Sequence, residues 1–103
     1  MIARIWRTGL DESRAEEYDQ FAAERSLAMF RSQPGFCGVL FTRMDNGRAV
    51  ITLWRDQDAI EALDRSADYR DTVAAIGAAG FLRSPQSVEL LPVERSWVLP
   101  DLG

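Results

Sequence analysis

The residues best suited to hold a small aromatic molecule in this chain are Trp6, Trp54, Arg4, Arg7, Tyr69 and Arg70. If the strands that carry them pair, Trp6 and Trp54 share the parity of one sheet face, where two indoles could clamp a flat ring. Arg4 and Arg7 stand on opposite faces of the same strand, so one of them can point into a pocket and hold a phenolate. Tyr69 could donate to a substrate oxygen, and Arg70 follows it. Each has an ordinary structural alternative: core indoles, solvated or edge arginines, a half-buried packing tyrosine. The sequence names no catalytic residue.

Composition narrows the chemistry further. The chain has no histidine, which excludes His-ligated zinc, a His general base, a Ser-His-Asp triad and a proximal-His haem. No carboxylates stand at metal-ligand spacing, and no glycine-rich phosphate loop follows a strand. The run Glu16, Glu17 and Asp19 reads as a solvated helix face. The single cysteine, Cys37, permits no intrachain disulfide and reads as a small buried apolar residue in a strand. Met29 and Met44 read as apolar gap-fillers. Net charge is −4 with no basic run, so neither nucleic acid nor an anionic membrane is expected as a partner. No apolar stretch could span a membrane and no signal-peptide pattern opens the chain, so a cytoplasmic location is expected.

The elements that must position these residues follow from periodicity. At 103 residues the chain is one domain. Ile2, Arg4 and Trp6 alternate against Ala3, Ile5 and Arg7, which predicts a first strand over 2–9. A helix is expected over 13–32, with Ser13 and Glu16 at capping-box spacing and Pro34-Gly35 as its stop. Its apolar stripe slips near Arg25. Strand-like runs flank Asp45-Asn46-Gly47, which predicts a hairpin whose turn uses the positive φ that Asn or Gly tolerates. Asp56 or Gln57-Asp58 opens a second helix with Ala59, Ile60 and Leu63 inward. Ser66 or Asp68 restarts it, with Tyr69, Val73 and Ile76 on its face. A last strand is expected over 87–93, with Pro92 at a sheet edge.

The order is β-α-β-β-α-β, the ferredoxin-like α+β arrangement with helices on one face of an antiparallel sheet. The hairpin is apolar on both faces: Leu40 alternates with Phe41, and Ile51 and Leu53 alternate with Val50 and Trp54. Nothing in the chain remains to cover the second face. A homodimer, sheet against sheet, is the expected cover. The domain is expected to span 1–94, with 95–103 a tail whose Trp97 and Leu99 could pack on the partner subunit.

The opening "MIARIW", the helix "RAEEYDQF", the "PGF" before the second strand and the "ITLWRD…A" after the third resemble the antibiotic biosynthesis monooxygenase family. That family lies in the dimeric α+β barrel superfamily, and the resemblance covers about residues 1–93. It implies a dimeric α+β barrel and cofactor-free oxygenation of aromatic polyketides or quinols. Trp54 falls where the anthrone-type oxygenase has a pocket tryptophan. That enzyme's asparagine would fall on Val50 and its tyrosine on Ile60; its pocket arginine has no aligned match, though Arg70 is nearby. The haem-degrading branch needs a histidine, which would fall near Val73, and a tryptophan, which would fall near Leu63. Haem is therefore not expected as substrate or cofactor, and no cofactor of any kind is implied.

Two functional classes follow. The first is a cofactor-independent monooxygenase that oxidises a hydroxylated aromatic, such as a quinol, an anthrone or a polyketide-like molecule, with O2. The second is a non-catalytic ligand-binding or stress-related dimer that keeps the fold without the chemistry. Isomerase or lactone chemistry is a weaker third option. An enclosed pocket beside Trp54 with a polar group pointing into it separates enzyme from filled core.

Overall fold

The computed structural model describes residues 1–99. In chain order the main elements are β1 (Ile2–Leu10), α1 (Ala15–Phe21), α2 (Leu27–Arg31), β2 (Phe36–Met44), β3 (Gly47–Trp54), α3 (Gln57–Arg65), α4 (Ala67–Ala78) and β4 (Leu82–Pro92). The strands form one antiparallel sheet in the order β2-β3-β1-β4, and the fold is ferredoxin-like α+β.

The long first helix is continuous from Ala15 to Arg31, because a π-helical turn over Ala22–Ser26 joins α1 to α2. This turn explains the slip in the apolar stripe near Arg25. One extra residue per turn lets Tyr18 before it, Ala22 at its start, and Met29 and Phe30 after it all face inward. The expected Ser13–Glu16 capping box is not what starts the helix. Asp11 caps a short 3-10 turn, Glu12–Arg14, by accepting the Ser13 backbone N–H at 3.1 Å. The stop is as expected: Gly35 takes φ +78, and a Cβ there would lie 2.5 Å from the Ala59 Cβ.

The hairpin turn uses Asn46 at φ 53. Pairing runs from Ile2 opposite Trp54 to Gly9 opposite Gly47, so Ile2, Arg4, Trp6 and Thr8 line up with Trp54, Thr52, Val50 and Arg48 on the helix face. The β2 register departs from simple alternation. Phe36 pairs with Trp54 and Gly38 with Leu53, leaving Cys37 as the extra residue of a bulge. Phe36 thereby joins Val39 and Phe41 on the helix face, and Leu40 turns to the other. Cys37 is exposed rather than buried in a strand, and its thiol donates to the Gly35 carbonyl at 3.4 Å.

Helices α3 and α4 start where the sequence offers oxygen acceptors. Asp56 accepts the Ala59 N–H at 2.9 Å, and Ser66 accepts the Tyr69 N–H at 3.2 Å. Strand β4 is longer than the expected 87–93. It begins at Leu82, and the register shifts between Thr8 and Gly9 of β1, where Ser84 and Pro85 are the extra residues of β4. Pro92 ends it on the edge strand, where no ladder donor is needed.

The core has two centres. Met29, Phe30, Trp54, Ile60 and Leu63 form one; Leu10, Tyr18, Ala22, Ile76 and Phe81 form the other; Trp6 packs against both. On the helix-free face Leu40 is 51% exposed, and Met44 and Leu91 are exposed with it. Residues 95–99 carry no regular structure, and Trp97 is 84% exposed. The remainder of the expected tail, 100–103, lies outside the described residues.

Candidate functional site

Between the two core centres the helices stand off the sheet and leave a cavity of about 310 Å³. Its floor is the helix face of the central strands, with Arg4, Trp6 and Val50, and Val88 of β4. Its roof is the π-helical turn and α2, with Ala22, Ser26, Met29 and Phe30. Helix α4 closes one side with Tyr69, Thr72, Val73 and Ile76. The walls are mostly apolar, the setting in which a few polar groups fix a ligand's orientation. Among the described residues, none of its lining side chains is a carboxylate.

Arg4 is the polar centre. β1 parity directs it under the helices, where it is 7% exposed. Its Nη2 donates to the Tyr69 hydroxyl at 2.8 Å, and its guanidinium carbon lies 5.7 Å from the Tyr69 ring centroid. No carboxylate lies within ion-pair distance of it among the described residues. Arg4 is therefore a buried cation whose side-chain partner is a neutral hydroxyl, without a counter-charge among the described residues. Ser66 sets this arrangement, because its cap fixes the first turn of α4 and so the direction of Tyr69.

A second buried arginine makes the contrast. Arg48, also on the helix face, is gripped by Glu12 through two hydrogen bonds of 3.0 and 3.2 Å and donates to the Gly47 carbonyl at 2.7 Å. Its charge is spent within the fold. Its guanidinium carbon lies 5.7 Å from the ring centroid of Tyr18, which is 3% exposed. Burial pushes the Tyr18 hydroxyl up to about 12; Arg48 opposes the shift and Asp19 adds to it. Tyr18, Ala22 and Phe41 also line an outer cleft of about 290 Å³ that adds Asp19, Thr42, Arg43 and Arg48. These three side chains are the partition between cleft and cavity.

Of the residues singled out from sequence, Arg4, Trp6 and Tyr69 meet on the cavity wall. Trp54 does not. It is 0% exposed, packs edge-on to Phe30 and Phe36, and donates from Nε1 to the Thr52 hydroxyl at 2.7 Å. It shares the face of Trp6 but serves as core beneath α3, so the pocket expected beside Trp54 is filled there and the cavity lies instead along Arg4 and Trp6. Arg7 points to the helix-free face and pairs with Glu89 at 2.9 Å. Arg70 is exposed and donates to the Asp64 carbonyl at 3.3 Å. Val50 lines the cavity, while Ile60 is buried in the core beside Trp54. Sequence reasoning missed Tyr18, Arg48, Ser26 and Gln86. Arg48 was detectable, because it shares the parity of Val50, Thr52 and Trp54. Tyr18 was counted only as part of an apolar stripe, and nothing in the sequence says what its hydroxyl meets.

Residues 1–75, most of the chain, match the family model for antibiotic biosynthesis monooxygenase. The chain belongs to that family. Solved structures agree on the fold. SnoaB, a cofactor-independent oxygenase from Streptomyces nogalater, superposes with a TM-score of 0.75 at 23% identity, covering 97% of each chain. NE2512, a protein of unknown function from Nitrosomonas europaea, gives 0.76 at 16% identity, covering 95% of this chain and 93% of its own. A conserved protein from Methanosarcina mazei Go1 gives 0.73 at 9% identity, covering 87% and 89%. Comparison with curated protein sequences gives no match. No helix among the described residues is long and apolar enough to cross a membrane.

Proposed function

We propose that this protein is a cofactor-independent monooxygenase that oxidises a hydroxylated aromatic bound in the cavity between helices and sheet. The observation that carries the reading is Arg4, a buried arginine bonded to a neutral tyrosine hydroxyl and opening on an apolar space. An acidic phenol, quinol or anthrone enters this space, and its oxygen takes the place of the missing counter-ion. Arg4 stabilises the anionic form, Tyr69 fixes its position, and Trp6 offers a flat wall.

The chemistry asks little more of the protein. The electron-rich anion passes one electron to O2, and the radical pair recombines as a carbon-bound peroxide. The peroxide takes a proton and loses water, so one oxygen atom stays as a ring carbonyl and the other leaves in water. The apolar walls exclude bulk water and strengthen the Arg4 interaction.

The same reading includes a homodimer built on the helix-free face, where Leu40, Met44 and Leu91 are exposed, with the apolar tail from Trp97 reaching the partner. A second reading, a non-catalytic ligand-binding dimer, is favoured by the lack, among the described residues, of any carboxylate or histidine on the cavity wall to take the substrate proton. An oxygen electrode separates the two. Metal-stripped protein offered dihydroxynaphthalenes, anthrones and quinols should consume oxygen faster than the spontaneous rate. Ligand quenching of tryptophan fluorescence without oxygen uptake would establish the binding module instead.

A further inference from the structure

We infer that Tyr18 is a specificity-determining residue: its hydroxyl donates a hydrogen bond to a neutral oxygen at one end of an elongated aromatic ligand whose anionic oxygen rests on Arg4 at the other. The inference deepens the oxygenase reading and rests on it for the Arg4 end. Tyr18 is nine-tenths buried, lines the cavity, and its hydroxyl has no hydrogen-bond partner among the described residues. No polar side-chain atom is both sealed and unpartnered in the described structure, so this hydroxyl reaches open space at the partition between cavity and cleft. With no protein acceptor among the described residues, this hydroxyl is free to donate to a ligand oxygen without breaking a hydrogen bond of the fold.

Register gives the backbone separation of the two ends. The Tyr18 ring lies under the Arg48 guanidinium, and Arg48 stands opposite Thr8, four residues along β1 from Arg4. Four residues of antiparallel strand span about 13 Å. Arg4 and Tyr18 both line the cavity of about 310 Å³, a volume with room for two or three fused rings. Trp6, between Arg4 and Thr8 on the same face, supplies the wall along that length.

The two ends differ in the charge they accept. Among the described residues Arg4 has no carboxylate partner, whereas Arg48 is already neutralised by Glu12. Burial keeps Tyr18 protonated across the physiological range, and so a donor. The ligand class is therefore a fused aromatic with one acidic oxygen and, at the distal ring, a neutral acceptor such as a ketone, quinone or ether oxygen.

Calorimetric titration with two probes tests this. 6-Acetyl-2-naphthoate carries a carboxylate and a distal ketone; 2-naphthoate lacks the ketone. Tyr18→Phe should weaken the acetylated probe roughly fivefold and change 2-naphthoate less than twofold, the loss of one hydrogen bond. Arg4→Met should weaken both. If Tyr18→Phe affects both probes equally while Arg4→Met still weakens both, this inference falls and the Arg4 reading stands. If neither probe binds, or Arg4→Met changes neither, both fall. Should Tyr18→Phe lose its cooperative melt, the wild-type protein decides alone: no preference for the acetylated probe overturns the inference.

Discussion

Arg4→Met should make the protein more stable and weaken its binding of an aromatic anion. The guanidinium is 7% exposed and its hydrogen-bond partner is neutral, the Tyr69 hydroxyl at 2.8 Å. Replacing buried ions with apolar groups of similar volume is neutral to stabilising by about 1–4 kcal/mol. Against that stands the lost hydrogen bond and ring contact, together about 1–2 kcal/mol. Taking the middle of each range, about 2.5 less about 1.5 kcal/mol, leaves a gain on the order of 1 kcal/mol. For a domain of this size that is a rise in Tm of about 4–8 °C. Urea unfolding should show a higher midpoint with an unchanged slope. Arg48→Met is the control. It leaves Glu12 without its partner, and since that side chain is 38% exposed the loss should be on the order of 1 kcal/mol. If Arg4→Met instead loses 1 kcal/mol or more, Arg4 is a structural residue and the claim that it is held for a ligand is refuted.

Other outcomes follow from particular contacts. The raised Tyr18 hydroxyl means the folded state holds its proton between the unfolded value of 10.0 and about 12, so stability present below pH 10 falls across that window. The loss is about 2–3 kcal/mol, and it should vanish from the alkaline denaturation curve of Tyr18→Phe. Leu40→Arg, on the helix-free face, should leave the melt of the subunit intact but give monomers in sedimentation at micromolar concentration. Trp54→Ala should destabilise by about 3–5 kcal/mol, because a fully buried indole leaves a cavity, and circular dichroism melting checks it. Ser66→Ala should cost about 1 kcal/mol through the lost cap and should also weaken ligand binding, since Tyr69 is the residue that the cap positions.

The fold was legible because its signals are local. Alternation set β1 and the hairpin, Asn46 and Gly35 marked the turn and the helix stop, and Asp56 and Ser66 announced two helices. What the sequence hid was what one-residue irregularities did to facing. The bulge at Cys37 moved that thiol to the surface and put Phe36 on the helix face, and the π-helical turn absorbed the slip at Arg25. The site was half legible for a related reason. Parity placed Arg4, Trp6 and Trp54 on one face, but parity cannot say which of them stands beneath a packed helix. Trp54 lies beneath α3 and α2 and is core; Arg4 and Trp6 lie where the helices part. The difference between Arg4 and Arg48 depends on Glu12, a contact across 36 positions of chain that no spacing rule reveals.

The central claim is that Arg4 holds an anionic substrate oxygen for reaction with O2, and the pH dependence of oxygen uptake tests it most directly. With a dihydroxynaphthalene as substrate and metal-stripped protein, Arg4 should lower the ionisation of the bound phenol, because a nearby cation favours the anion. Half-maximal uptake by the wild-type protein should therefore lie below the substrate's own pKa. Arg4→Met should move it up by about one unit or more. Identical profiles for the two proteins, or no uptake above the spontaneous rate, would contradict the account.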